Sequence, residues 1–106
     1  MITVSIGSES RTFSLGDVDE QWISTQINNR RKDGTIPCVE ITLEDGPWHL
    51  RFRTKNCPPS AGGRQATPDE AKVLGFWDDI MQTEREVNPG AIISFLHRLP
   101  KMLERT

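Results

Sequence analysis

The chain has 106 residues and a net charge of -2, with 35% hydrophobic and 26% charged residues. These totals predict one folded domain that can bury its own core. The slight acidic excess argues against a nucleic-acid binder that works by bulk positive charge. No apolar run approaches the ~20 residues that span a bilayer, and the N-terminus lacks a signal-peptide pattern. We therefore expect no membrane association and a cytoplasmic location, with both cysteines as free thiols.

Three apolar residues alternate with polar ones at the start of the chain: Ile2, Val4 and Ile6. This period of two predicts a half-buried strand, and a second alternation over residues 11–15 predicts its hairpin partner. A turn at residues 8–9 would place Val4 opposite Phe13 and Ile2 opposite Leu15, so that all four share one face.

A helix is predicted next. Asp17 and Glu20 resemble a capping box at its start. Its apolar stripe consists of Val18, Trp22, Ile23 and Ile27. The cations at residues 30–32 and the glycine at Gly34 are typical of a helix end.

A second hairpin follows. Its two apolar sets are Val39, Ile41 and Leu43 on one strand and Trp48, Leu50 and Phe52 on the other. The pair Asp45-Gly46 favours a tight turn, with Pro47 at the strand edge. That turn would pair Leu43 with Trp48 on the apolar face, and Glu40 with Arg51 on the polar face.

The order strand, strand, helix, strand, strand resembles the β-grasp arrangement of ubiquitin-like and immunoglobulin-binding domains. The resemblance covers residues 2–54 and concerns topology only. It implies a four-stranded sheet crossed by one helix. A modifier role finds no support, because Gly62-Gly63 is followed by 43 further residues rather than ending the chain.

The last part of the chain predicts two helices. Thr67 to Glu70 combine an N-cap, a proline at the first helical position and a capping-box glutamate. The stripe of the first of these helices, which should run to about Glu86, consists of Val73, Leu74, Trp77, Ile80 and Met81. Asn88-Pro89 starts the last helix, and Pro100 predicts a break or kink. The expected fold is α+β and a single domain over residues 1–106, with a sheet unit (1–55), a loop (56–66) and a helical pair (67–106).

Several segments together are similar to a group of small uncharacterised bacterial proteins. They are residues 27–34, residues 37–39, the strand that runs into Cys57, and residues 70–77. The group has a longer glycine run where this chain has residues 58–63. The resemblance implies no activity, cofactor or catalytic residue.

Cys57 is the first candidate for chemistry. It lies near Arg53 and Arg64, and neighbouring cations favour a reactive thiolate. Nucleophilic catalysis also requires a base, and the only histidines are His49 and His97. We expect His49 on the polar sheet face, about a hairpin length away. The alternative is an ordinary thiol that ends a strand.

A disulfide and a metal site are both poorly supported by the sequence. The expected register places Cys38 opposite Arg53, and Cys57 four residues further on. That offset is too long for a disulfide unless the chain doubles back. The cysteines and histidines also lack the short paired spacing of a zinc site. We expect no metal and no cofactor.

The triplet Gly62-Gly63-Arg64 precedes a capped helix start and could hold an anion. It lacks the Lys-Ser/Thr ending of a phosphate-binding loop. With Cys57 it forms the candidate ligand-binding set of a small enzyme or ligand binder. The alternative is a flexible connection between two sub-structures.

Arg51 and Arg53 could contribute to a basic patch for RNA or DNA. Glu40 and other acidic residues interleave with them, and no aromatic residues are expected to stack there. A solvated, charge-paired sheet face explains the pattern better, so nucleic-acid binding is an unlikely alternative here.

The C-terminal helices carry more apolar side chains than one contact needs, a pattern typical of partner surfaces. Phe76 and Phe95 lie beside the apolar stripes and widen them. Our leading hypothesis is a non-enzymatic adaptor or subunit that binds another protein or a second copy. The candidate contacts are Phe76, Trp77, Ile80 and Phe95. The alternative is that these side chains complete an intramolecular core.

Overall fold

A computed structural model describes residues 1–54, 57, 66–83 and 88–104. The strands within these ranges are β1 (Ile2–Ile6), β2 (Glu9–Phe13), β3 (Val39–Asp45) and β4 (Trp48–Arg53). The helices are α1 (Glu20–Lys32), α2 (Pro68–Thr83) and α3 (Pro89–Glu104). This element order confirms the α+β class and the two hairpins around α1.

The strands form one four-stranded sheet in the order β2-β1-β3-β4. Every neighbouring pair is antiparallel. The connection through α1 therefore leads from the edge strand β2 past β1 to β3, so that β2 and β3 run parallel to each other with the antiparallel β1 between them. Nothing in this arrangement confirms a relationship to β-grasp domains.

Both hairpins turn one position away from the predicted site. The turns are Gly7-Ser8 and Gly46-Pro47, because Ile6 pairs with Glu9 and Asp45 pairs with Trp48. Gly7 and Gly46 have φ values of 62° and 61°. Among the described residues, only glycines have positive φ. A positive φ at the first central position followed by a negative one is the pattern of a type II′ turn, and Pro47 suits the second position.

The corrected turns shift each pairing by two residues. Ile2 lies opposite Phe13 rather than Leu15, and Leu43 lies opposite Leu50 rather than Trp48. Because side chains alternate with a period of two, a shift of two keeps every residue on its expected face. The assignment of faces is therefore correct although the predicted register is wrong.

Helix α1 begins later than predicted. Its N-cap is Asp19, whose side chain accepts a hydrogen bond from the Trp22 amide at 3.1 Å. The amide of Asp17 instead donates to the carbonyl of Ser14, in the turn before the helix. The predicted end is confirmed, since Gly34 donates to the Arg31 carbonyl just after the last helical turn.

All three helices bury their apolar stripes in one core with the apolar face of the sheet. The core side chains are Ile2, Val4, Ile6, Ile23, Ile27, Val39, Ile41, Leu43, Leu50, Phe52, Val73, Trp77, Ile92, Phe95, Leu96 and Leu99. At the contact between the sheet and the C-terminal helices, Phe52, Trp77 and Phe95 form an aromatic cluster. Their ring centroids lie 5.0–5.6 Å apart in tilted or edge-on arrangements, which aromatic rings favour.

Helix α2 covers the outer edge of β4. The predicted capping box is confirmed, because Thr67 Oγ1 accepts from the Glu70 amide and Glu70 Oε1 accepts from the Thr67 amide. The second oxygen of Glu70 accepts from the His49 amide of β4 at 3.0 Å. About two helical turns further along α2, Trp77 Nε1 donates to the Arg53 carbonyl at 3.0 Å. The helix thereby satisfies backbone groups at a strand edge that would otherwise lack partners.

Helix α3 begins at Pro89 as predicted, with the Asn88 side chain accepting from the Gly90 amide. The expected break at Pro100 is absent, since the helix continues to Glu104. Leu96 and Leu99 are buried in the core. Their packing holds the helix in place where proline removes one backbone hydrogen bond.

Two phenylalanines of the C-terminal helices provide a matched test of this core. Phe95 is fully buried, whereas Phe76 is 52% exposed. We expect Phe95→Ala to lower the free energy of unfolding by about 3–5 kcal/mol, because it leaves a cavity. We expect Phe76→Ala to change it by no more than about 0.5 kcal/mol, as for most surface positions. Urea denaturation of both variants measures the difference, and equal losses would contradict the packing.

Candidate functional site

The two cysteines form a disulfide, with their Cα atoms 4.7 Å apart. The expectation of free thiols is therefore wrong, and the register explains why. The Thr54 amide donates to the Val39 carbonyl, so Val39 lies opposite Thr54, two residues further along the chain than the expected register places it. The Cys57 amide then donates to the Thr54 carbonyl, which turns the chain back towards Cys38.

The disulfide removes the proposed nucleophile. Nucleophilic attack by cysteine requires the thiolate, and both sulfurs are covalently paired in this structure. Cys57 could act as a nucleophile only after this disulfide had been reduced. In the described structure Cys57 therefore has a structural role: it is bonded covalently to Cys38, the residue before β3.

The other members of the candidate ligand-binding loop, Gly62, Gly63 and Arg64, lie outside the described residues. Anion binding by this loop stays a prediction. The described side of the loop offers little for an anion, because Glu70 places a carboxylate at the start of α2. This side chain is only 2% exposed and already engages two backbone amides.

The outer face of the sheet is polar and its cations are paired. Glu40 contacts both Arg51 and Arg53, at 3.4 and 3.2 Å. On β1 and β2 the same face carries hydroxyl pairs: Ser5 with Ser10 and Thr3 with Thr12. One carboxylate thus offsets the two arginines that were candidates for phosphate contacts. Nucleic-acid binding stays an untested and weakened alternative.

The four candidate partner contacts separate into two pairs. Trp77 and Phe95 are 2% and 0% exposed and belong to the core. Phe76 is 52% exposed and Ile80 is half-buried. A partner can therefore reach Phe76 on the folded protein, with Ile80 at the border of the same helix face.

A cleft that the sequence analysis missed lies between the start of α1 and helix α3. It has a volume of about 150 Å³ and is lined by Gly16, Val18, Glu20, Ile93, Leu96, His97 and Pro100. At its rim, His97 Nε2 and Glu20 Oε1 form a hydrogen-bonded pair. These two residues are 77 positions apart, so no local spacing could have indicated the contact.

The Glu20–His97 pair joins α1 to α3 and is exposed to solvent. The side chains are 49% and 65% exposed. Exposed ion pairs contribute little to stability, typically ~0–1 kcal/mol. A histidine and a carboxylate could exchange protons with a ligand, but the described lining contains no serine, threonine or cysteine for them to activate.

The described ranges contain neither a metal-binding cluster nor a helix that could span a membrane. No cluster of three or more histidine, cysteine or acidic side chains there is arranged to hold a metal ion. No helix there has the length and apolar character needed to cross a membrane.

Comparison with known proteins gives no match to a family model, a curated protein or a solved structure. The similarity to small bacterial proteins, and the origin that it implies, therefore stay predictions.

The disulfide can be tested by removing it. We expect Cys57→Ser to lower the free energy of unfolding by about 3 kcal/mol, because the bond closes a loop between residues 19 positions apart. Urea denaturation without a reducing agent measures the loss. The control is the wild-type protein with its disulfide reduced, which should lose a similar amount. A variant as stable as the oxidised wild type, or thiols that titrate in the native protein, would contradict the bond.

Proposed function

We propose that this protein is a non-enzymatic adaptor or subunit that binds another protein through the outer face of α2, with Phe76 as its central contact. The observation that carries the proposal is the exposure of this aromatic side chain beside a core that is already filled. Trp77 and Phe95 complete the aromatic cluster with Phe52, whereas 52% of Phe76 stays exposed.

The energy available at this position supports a role in binding. Complete burial of a phenylalanine side chain contributes roughly 1.5–3 kcal/mol, and about half of this is available to a partner because Phe76 is 52% exposed. Aromatic residues that fill a pocket of a partner frequently carry a large share of the binding energy. Ile80 lies one helical turn beyond Phe76, and the exposed Lys72 and Asp79 flank the pair. Apolar contacts with a polar border are the usual composition of a protein interface.

The surroundings of Phe76 also indicate which partner would fit. Hydrogen bonds from Glu70 and Trp77 to the backbone of β4 define how α2 is oriented on the sheet, and therefore which way its outer face points. A fixed helix face loses little conformational entropy on binding. We infer that the partner supplies a hydrophobic groove that receives this face.

The enzymatic alternatives have weaker support. The candidate nucleophile Cys57 is covalently paired, and no serine, threonine or cysteine lines the described part of the cleft beside Glu20 and His97. The loop of Gly62, Gly63 and Arg64 stays a prediction without a described geometry.

The cytoplasmic location stays a prediction as well. The disulfide argues against a strongly reducing compartment, where thiols are kept reduced. The fraction of disulfide-bonded protein after rapid acid quenching of its native cells would decide between the two.

The binding proposal can be tested by photo-cross-linking in the native cells. A photoreactive amino acid at position 76 should give a discrete covalent adduct with one partner. The matched control is position 36, because Ile36 is also exposed, at 63%, on the loop between α1 and β3. No adduct at position 76, or the same adduct at both positions, would contradict the proposal.

The partner identified in this way allows a quantitative test with purified proteins. We expect Phe76→Ala to weaken binding by at least tenfold, as for an aromatic anchor at an interface. Ile36→Ala should leave the affinity within about twofold of wild type, since that residue lies outside the proposed contact. Equal effects of the two substitutions, measured by isothermal titration calorimetry, would count against Phe76 as the central contact.

A further inference from the structure

The two edges of the sheet differ in whether another element covers them. At the β4 edge, the His49 amide and the Arg53 carbonyl bond to side chains of α2. At the opposite edge, no further strand or helix lies beside β2 on the side away from β1 in the described part of the chain. A strand edge without a neighbour can pair with another chain.

The register identifies which groups β2 presents. In the β1–β3 pair, Gly7 donates to the Cys38 carbonyl and Glu44 donates to the Met1 carbonyl. The odd-numbered residues of β1 therefore bond to β3, and the even-numbered ones bond to β2. Since Val4 lies opposite Arg11, the backbone groups of Ser10 and Thr12 point away from the sheet.

The charges on β2 suit pairing with a second copy. Glu9 and Arg11 are exposed and lie two residues apart, so they share one face of the strand. Arg11 is held in place by Asp19, with side-chain atoms 3.5 Å apart, and its guanidinium lies over the ring of Trp22. An antiparallel copy of β2 can place an acidic residue against each Arg11.

We propose that the protein forms a two-fold dimer in which β2 pairs antiparallel with β2 of a second copy, centred on Ser10. The two Ser10 residues exchange backbone hydrogen bonds at the axis. Glu9 then lies opposite Arg11 of the second copy, and Arg11 lies opposite its Glu9. These are non-hydrogen-bonded positions, where cross-strand side chains are closest. The two four-stranded sheets become one eight-stranded sheet.

The neighbouring registers are less favourable. An axis at Arg11 would place the two Arg11 side chains directly opposite each other, and like charges in this position are destabilising. An axis at Thr12 would require pairing by Ser14, whose carbonyl already accepts from the Asp17 amide. Charge and available backbone groups thus select the axis at Ser10.

This dimer goes beyond the proposed function and uses a different surface. Helix α2 contacts β4, at the opposite edge of the sheet from β2. Phe76 is not part of the dimer contact, so the dimer would present two partner-binding surfaces. Phe76→Ala should therefore leave dimerisation unchanged, and substitutions in β2 should leave the affinity of one site for its partner unchanged. The two proposals can then fail separately.

Charge reversal tests the register. Sedimentation equilibrium of the wild-type protein should show a reversible monomer–dimer equilibrium. Glu9→Arg or Arg11→Glu alone should raise the dimer dissociation constant by about tenfold or more, because each creates two like-charge pairs. An equal mixture of the two variants should restore the wild-type dissociation constant, since every cross-strand pair becomes complementary. Strictly monomeric wild-type protein, or a mixture no stronger than either variant alone, would overturn the proposal.

A backbone substitution tests the edge itself without altering charge. Ser10→Pro removes the outward amide and leaves the β1–β2 hydrogen bonds in place, a position where an edge strand tolerates proline. Ser10→Ala is the matched control, because it removes the same hydroxyl and keeps the amide. We expect Ser10→Pro to be a folded monomer by circular dichroism and sedimentation, and Ser10→Ala to dimerise as the wild type does. A Ser10→Pro variant that dimerises normally would overturn the proposal. If Ser10→Pro is unfolded because the proline ring strains the strand, the mixture of the two charge variants decides, and failure of that mixture to restore the dimer overturns the proposal.

Discussion

The structure depends on one constraint: the sheet has a single apolar face, and α1 is too narrow to cover it. Only Ile23 and Ile27 of this helix are fully buried. Four strands present a wider surface than two such side chains can remove from water. The C-terminal helices supply the remaining cover, with Phe52, Trp77 and Phe95 packed ring against ring where helices and sheet meet. The apolar excess of these helices is thus largely used inside the molecule.

The way the helices cover the apolar face also determines which edge of the sheet is available to another chain. Helix α2 lies against β4, where the buried carboxylate of Glu70 and the indole of Trp77 take up backbone groups of the strand. The same placement turns Phe76 outward, and the outer edge of β2 has no neighbouring helix or strand in the described structure. Both proposed interaction surfaces, the outer face of α2 and the edge of β2, therefore follow from the position of α2 on the β4 side of the sheet.

The sequence allowed the elements, their faces and the capping box of α2 to be predicted, because each rests on local periodicity or on spacing within one turn. It did not allow the register to be predicted, since a shift of two residues leaves the same side chains on the same face. The disulfide was missed for this reason: its geometry depends on where β4 ends relative to Cys38. The complete burial of Phe95, which lies beside the predicted stripe of its helix, and the contact of Glu20 with His97 depend on tertiary packing that no local pattern records.

The sheet and the C-terminal helices share one core and should therefore unfold together. Native-state hydrogen exchange at increasing, sub-denaturing concentrations of urea measures this directly. The slowest amides of β3, such as Ile41, and those of α3, such as Leu96, should exchange with the same free energy of opening and the same dependence on urea. Helix amides that open at a clearly lower free energy than the sheet would show that α2 and α3 are a separate unit, and would contradict the account.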